Sequence, residues 1–196
     1  MLLCAVSSEV LEADLASGRL SCARCGGRLA RWGFARQRSV RMLSGERSVR
    51  PRRGICCVCG HTDVLLPAWC LPRRPDGAEV ICRALSDAAG GDGYRAIAAR
   101  LGRSPWTVRR WLRTARQDAD LIAQQAFVRL DELQSIEPPR FGWGAGSPLG
   151  EAHVWLALAV LAARWRYGRQ RDACEFANTI TGGLLSRRSR DPPRVH

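Results

Sequence analysis

The chain has 196 residues, which is enough for one or two small domains, and carries a formal charge of +13 at pH 7. This positive balance favours a polyanion such as nucleic acid as the partner, although every basic residue is an arginine, a bias that GC-rich genomes also produce. The longest apolar run, Val154 to Ala163, is about half a membrane span, so we expect no membrane partner. The first residues do not have the pattern of a secretory leader, so we expect the protein to lie in a reducing cytoplasm, associated with the nucleoid.

Residues 1–19 are predicted to form a short helix, which begins at Ser7 or Ser8 and ends near Gly18. From residue 20 to residue 72 the pattern changes to short segments in which apolar and polar side chains alternate, as between Leu29 and Phe34. Ser44-Gly45 supplies a turn signal between two such segments. The region therefore predicts a small antiparallel sheet.

Two Cys-x-x-Cys-Gly segments lie inside this region and point to a metal site. Two cysteines with this spacing place both thiolates on one tetrahedral ion, and the glycine that follows allows a tight turn. Together the two segments predict a zinc ribbon whose zinc is structural, because four thiolates leave no open coordination position for chemistry. The predicted zinc ligands are Cys22, Cys25, Cys56 and Cys59.

The ligand assignment has two alternatives at this stage. Cys57 and His61 flank the second segment, and their spacing is also compatible with zinc. Four buried or free thiols without a metal are the other alternative. The segment offers only about eight apolar side chains for a core, so a metal ion would help decide whether it folds.

After a proline-rich connector, the helical pattern begins and contains the second strong motif. Helices are predicted at Ala78–Ala89, at Tyr94–Leu101 and at Ser104–Gln117, the last of them running on towards Ser135. Gly102 supplies a turn, and Ser104 followed by proline is typical of a helix start. Residues 78–118 therefore have the spacing of a helix-turn-helix DNA-binding domain, with an ordinary helical hairpin as the alternative.

The outward face of the second helix of this pair is the predicted DNA-binding surface. Arginine bonds guanine bidentately in the major groove, so arginines on this face would read sequence. Arg95, Arg100 and Arg103 are predicted to contact phosphates, which position a protein without reading bases. The residues predicted to face DNA are Ser104, Trp106, Thr107, Arg109, Arg110 and Arg113, with Arg103 beside them.

Residues 119–186 are predicted to form a helical tail, and residues 187–196 to be disordered. One amphipathic tail helix has Val154, Leu158, Leu161 and Trp165 on one face, as a surface for a homodimer or for packing within the chain. The acidic residues after Gln117 lie in no strand pattern, whereas the usual transposase site needs three carboxylates that hold two metal ions. We therefore expect no catalytic residue, no enzymatic activity and no small-molecule substrate.

The order of these motifs resembles a known group of proteins. A cysteine ribbon, the segment from Val64 to Trp69 and the helical segment from Tyr94 to Leu112 resemble an actinobacterial family of zinc-ribbon plus helix-turn-helix proteins that is described as transposase-like. The layout is also similar to the N-terminal DNA-binding part of insertion-sequence transposases. The resemblance covers residues 8 to 117 and, weakly, Thr181-Gly182-Gly183. It implies DNA binding by the residues named above and carries no established reaction.

The sequence thus predicts an α+β fold, with a small zinc ribbon followed by a mostly α-helical region. The predicted function is sequence-specific binding of double-stranded DNA, in a transposase-related or transcription-regulator-like protein with structural zinc. One alternative is a zinc-ribbon module that binds a protein or, through Trp32 and Phe34, single-stranded nucleic acid. Another is a remnant of a transposase that lacks the catalytic part.

Overall fold

The structure is a computed structural model that describes residues 2–4, 8–133, 146–168 and 172–182. Within these residues the fold is α+β, as predicted. The strands are β1 (Leu2–Cys4), β2 (Leu29–Phe34), β3 (Arg38–Met42), β4 (Gly45–Val49), β5 (Arg52–Cys56) and β6 (Thr62–Pro67). The helices are α1 (Ser8–Ser17), α2 (Ala78–Ala89), α3 (Tyr94–Leu101), α4 (Pro105–Gln117), α5 (Ala119–Glu132), α6 (Pro148–Tyr167) and α7 (Ala173–Ile180).

The strands form a four-stranded sheet in the order β1-β6-β5-β2 and a separate hairpin of β3 and β4. Strands β2, β5 and β6 pair in antiparallel fashion, which confirms the predicted antiparallel sheet. Strand β1 was not predicted, and it pairs in parallel with β6, with Leu2 opposite Leu65. Three residues are too few to show a strand period, so only the partner strand reveals this element.

Helix α1 covers the sheet and contributes to a very small core. The buried apolar residues Leu11 and Leu15 of α1 pack with Leu29 and Leu65 of the sheet and with two of the paired cysteines. A second small cluster, around Val40, lies under the β3–β4 hairpin. Neither cluster is large, so apolar burial alone gives this part of the chain little stability.

Helices α2 to α7 share one hydrophobic core. Ile97 and Ala98 of α3 and Trp111 and Leu112 of α4 are buried in it, and this confirms the predicted inner faces of these two helices. The tail helices α6 and α7 contribute to the same core, so the regions predicted as 78–118 and 119–186 are packed together. The fully buried Asn178 also donates to the backbone carbonyls of Ala68 and Cys70, which attaches α7 to the segment after the sheet.

One prediction about the helices needs correction. Helix α4 does not run on towards Ser135, because Asp118 leaves helical geometry and α5 begins as a separate helix. In α6, Leu161 and Trp165 of the face predicted for a homodimer or for packing within the chain are exposed, while Leu156 and Val160 are buried. Since α6 is apolar around most of its circumference, its period did not select one face.

Predictions that fall on residues 134–145 and 183–196, including most of the break from Pro138 to Gly146 and the end predicted to be disordered, lie outside the described residues. Within the described ranges, no helix combines the length and the apolar character needed to span a membrane.

Gly102 ends α3 in the left-handed region, with φ +61°, and its amide bonds to the carbonyl of Ala99. Open space surrounds the position of a Cβ atom there, so alanine would be strained only by its backbone. We expect Gly102→Ala to lower the free energy of unfolding by about 1–2 kcal/mol in denaturant titrations. Gly90→Ala is the control, since that exposed glycine lies in the right-handed helical region with φ −76°, and alanine there should not lower the free energy of unfolding. An equal loss of stability in both variants would contradict the conclusion that the left-handed backbone at residue 102 favours glycine.

Candidate metal centre and nucleic-acid interface

The four predicted ligands converge on one point between the start of β2 and the end of β5. Their Sγ atoms all lie within 4.8 Å of one another, and they form the only such cluster of candidate ligands among the described residues. The Sγ of Cys25 lies 3.5 Å from that of Cys56 and 3.3 Å from that of Cys59, and Cys22 and Cys59 are 3.8 Å apart. Tetrahedral bonds of about 2.3 Å to sulfur separate the sulfurs by about 3.8 Å. The cysteines therefore fit a tetrahedral metal ion.

Backbone groups around the cluster favour negatively charged sulfur. The amides of Arg24 and Val58 point at the Sγ atoms of Cys22 and Cys56, each at 3.4 Å. The glycines after the two pairs have φ values of +71° and +67°, so the two turns repeat one geometry. Such donors hold thiolates in place and tune the metal that they bind.

The cysteines of the cluster differ in their affinity for protons. Hydrogen bonds from the backbone N–H groups of Cys59 and Val58 lower the pKa of the Cys56 thiol to about 6, although burial opposes them. At Cys25 the Gly27 amide lowers the pKa, but hydrogen bonds with the neighbouring thiols outweigh it and raise that pKa to about 12. Four thiolates this close need a cation among them, and a metal ion supplies that charge.

The alternative ligands Cys57 and His61 lie outside this cluster. Cys57 is exposed, and its backbone amide donates to the carbonyl of Arg28. The Nε2 of His61 lies 3.6 Å from a carboxylate oxygen of Asp63. Cys56 is buried among the sulfurs instead, so the structure brings together the four cysteines that were predicted first.

The outward face of α4 is basic and aromatic. Helix α4 contains no acidic residue, and Arg109, Arg110 and Arg113 are exposed along it. Trp106 is 73% exposed, and the guanidinium of Arg109 lies 5.3 Å from its ring centroid. The residues that line the resulting shallow groove of about 390 Å³ are Trp106, Thr107, Arg109, Arg110 and Arg113. Five of the predicted DNA-facing residues therefore lie together.

The two residues predicted at the start of this face behave differently. Ser104 is the N-cap of α4, but its side chain makes no capping hydrogen bond, so only the position was predicted correctly. Arg103, predicted to contact DNA, directs its guanidinium inward, where Nε lies 2.7 Å from Asp76 Oδ1. Its side chain is only 14% exposed. The charge of Asp76 was visible in the sequence, but nothing there indicated its partner.

Of the predicted phosphate contacts, Arg100 is held by two acids. Its Nη1 lies 2.6 Å from Asp87 and 2.8 Å from Asp92, and these carboxylates raise its pKa. Arg95 instead has its guanidinium 5.6 Å from the ring centroid of Tyr94. The phosphate contacts of these residues stay predictions.

The predicted homodimer also stays a prediction. Leu161 and Trp165 of α6 are exposed, as a contact between copies would require. Light scattering tests this directly, because a dimer would have twice the 21.6 kDa mass of one chain.

Comparison of the chain with protein-family profiles, with curated proteins and with solved structures found no match.

Proposed function

We propose that this protein binds double-stranded DNA by placing α4 in the major groove, and that the four cysteines hold one structural Zn²⁺. The observation that carries the proposal is that three exposed arginines on α4 have no acidic partner among the described residues. They are Arg109, Arg110 and Arg113. On neighbouring helices, by contrast, Arg83 and Arg129 each pair with an acid. The face of α4 thus keeps its positive charge for a polyanion.

The arrangement of α3 and α4 supports a helix-turn-helix unit. Gly102 turns the chain sharply, and the small Ala98 is buried next to the apolar face of α4. In such units the second helix lies in the major groove with its N-terminal residues at the base edges. Trp106 and Arg109 lie in that part of α4, where arginine would contact guanine.

The donor set supports zinc as the metal. Four thiolates in tetrahedral geometry suit zinc, and an ion enclosed in this way stabilises a fold without an open position for a substrate. We therefore propose a zinc ribbon and no catalytic centre. Two acids of the tail have local structural roles, since Asp172 caps α7 and Glu132 pairs with Arg129.

A second candidate function rests on the aromatic side chains of β2. Trp32 and Phe34 are about half exposed, and the guanidinium of Arg52 lies 4.5 Å from the ring centroid of Phe34. Aromatic side chains beside arginines stack unpaired bases in single-stranded nucleic acid. Arg52 also pairs with Glu12 at 2.9 Å, which takes part of its charge.

Competition between probes separates the two functions. A labelled duplex is bound by the metal-loaded protein, and the same duplex or either of its single strands is added as competitor. We expect the duplex to compete at least about tenfold better, and binding to fall steeply between 50 and 200 mM salt, because each neutralised phosphate releases counterions. Better competition by single strands, abolished by Trp32→Ala, would support the second candidate instead.

A further inference from the structure

A buried carboxylate joins the ribbon to the turn before α4. Asp76 lies just before α2 and is 1% exposed. Its Oδ2 lies 2.8 Å from Nη2 of Arg41 on β3, and its Oδ1 lies 2.7 Å from Nε of Arg103 between α3 and α4. Three parts of the chain that are far apart in sequence therefore meet on one side chain.

Further hydrogen bonds attach the β3–β4 hairpin at the same place. Nη2 of Arg103 donates to the carbonyl of Met42 at 3.3 Å. The amide of Gly77 donates to the carbonyl of Arg41 at 2.9 Å, and the amide of Leu43 donates to Glu79 Oε1 at 2.6 Å. The end of the hairpin is thus held against the start of α2 and against the turn that leads into α4.

The burial of this contact makes it a strong constraint on orientation. An exposed ion pair stabilises little, but a buried charge that loses its partner is strongly unfavourable. The planar guanidinium of Arg103 also bonds in fixed directions, to Asp76 and to carbonyl groups on both sides. The hairpin therefore cannot turn away from α4 without leaving Oδ2 of the buried Asp76 without its Arg41 partner.

We propose that Asp76 and Arg103 are positioning residues that hold the β3–β4 hairpin beside the N-terminal end of α4, so that both contact one duplex. This inference rests on the proposed function and adds the hairpin to the DNA-binding surface. Arg47 on β4 is exposed, with its guanidinium 4.2 Å from the ring centroid of Trp69, and it is the hairpin arginine that this inference adds to the surface. Arg103 acts through Asp76 and not by binding phosphate.

The sign of one substitution separates this proposal from simple electrostatics. Asp76→Asn removes a negative charge and replaces one of two acceptor oxygens by an NH2 group, so only one of Arg41 and Arg103 keeps its bond. Charge alone therefore predicts tighter binding of DNA. The positioning role predicts weaker binding, since the hairpin loses its fixed place and its phosphate contact. Asp87→Asn is the matched control, because Asp87 also holds two arginines, Arg83 and Arg100, but only within α2 and α3.

The test measures binding to a duplex of about 25 base pairs between 50 and 200 mM salt, with metal content and helical circular dichroism as checks of the fold. Each phosphate contact contributes about 0.9 to the slope of log K against log salt. We expect the slope of Asp76→Asn to be smaller than that of the wild type by about 0.9, the contribution of the single Arg47 contact, and its affinity to be about tenfold lower. The slope of Asp87→Asn should be no smaller than that of the wild type, because this variant leaves the hairpin in place and releases Arg100, a predicted phosphate contact.

An unchanged slope in Asp76→Asn, or tighter binding, would overturn the proposal while leaving the proposed function intact. A wild type that does not bind duplex DNA would overturn the proposed function, and amide exchange would then report on the link separately. If Asp76 holds the hairpin, the amides of Arg41 and Gly77 should exchange faster in Asp76→Asn than in Asp87→Asn. Equal exchange rates in the two variants would show that it does not. If Asp76→Asn does not fold, Glu79→Ala removes the acceptor for the Leu43 amide and should also reduce the slope; an unchanged slope there overturns the proposal.

Discussion

Cys56→Ser is expected to release the metal ion and to unfold the ribbon. The structure gives this region only a few buried apolar side chains, and Cys56 packs among them. A structural zinc site contributes about 10–16 kcal/mol to folding, which is comparable to the whole stability of a small domain. The expected result is less than one metal ion per two chains by elemental analysis, with loss of strand signal in circular dichroism. A chelator added to the wild type should have the same effect.

Cys57→Ser is the matched control for this experiment, since it changes the adjacent, exposed thiol outside the cluster. It should keep one metal ion per chain and the stability of the wild type. Full metal content in Cys56→Ser would contradict the assigned ligands. Loss of metal in Cys57→Ser would return Cys57 and His61 to consideration.

The second large effect is expected on DNA binding. Arg109→Ala and Arg110→Ala should each weaken binding of the preferred duplex by about 5- to 150-fold, because a good bidentate contact to guanine contributes about 1–3 kcal/mol of discrimination. Both variants should also discriminate less between base pairs at one position of the site. Fluorescence anisotropy with the preferred duplex and with single-base changes measures both effects.

Arg129→Ala controls for the loss of one positive charge. Arg129 is an exposed helical arginine as well, but it lies on α5 and its charge is balanced by Glu132 at 2.6 Å. Its removal should change affinity by less than about twofold. If all three variants bind equally well, α4 is not the DNA-binding helix.

Local patterns in the sequence account for the parts of the site that were predicted correctly. The spacing within each cysteine pair is a local property. A single metal ion can bring two such pairs together regardless of the structure of the chain between them. The bounds of α2 and α3 follow from glycines at their ends and from apolar periods within them. These features could be read from the chain because each depends on neighbouring residues.

The missed features depend on residues that are distant in the sequence. Arg103 looked like a phosphate contact because its charge is visible, whereas its buried partner Asp76 is set by how the hairpin packs on the helices. The parallel pairing of β1 with β6 has the same origin. In α6 nearly every face is apolar, so the sequence could not show that Trp165 would be exposed while Leu156 is buried.

We propose that the metal-loaded protein reads duplex sequence through α4. Selection of bound duplexes from a random pool, with metal content measured on the same preparation, is the decisive experiment. We expect one metal ion per chain and enrichment of a short guanine-containing site, in which Arg109→Ala and Arg110→Ala each weaken the preference at a defined position. No enrichment by fully metal-loaded wild type, or an enriched site that both variants leave unchanged, would contradict it.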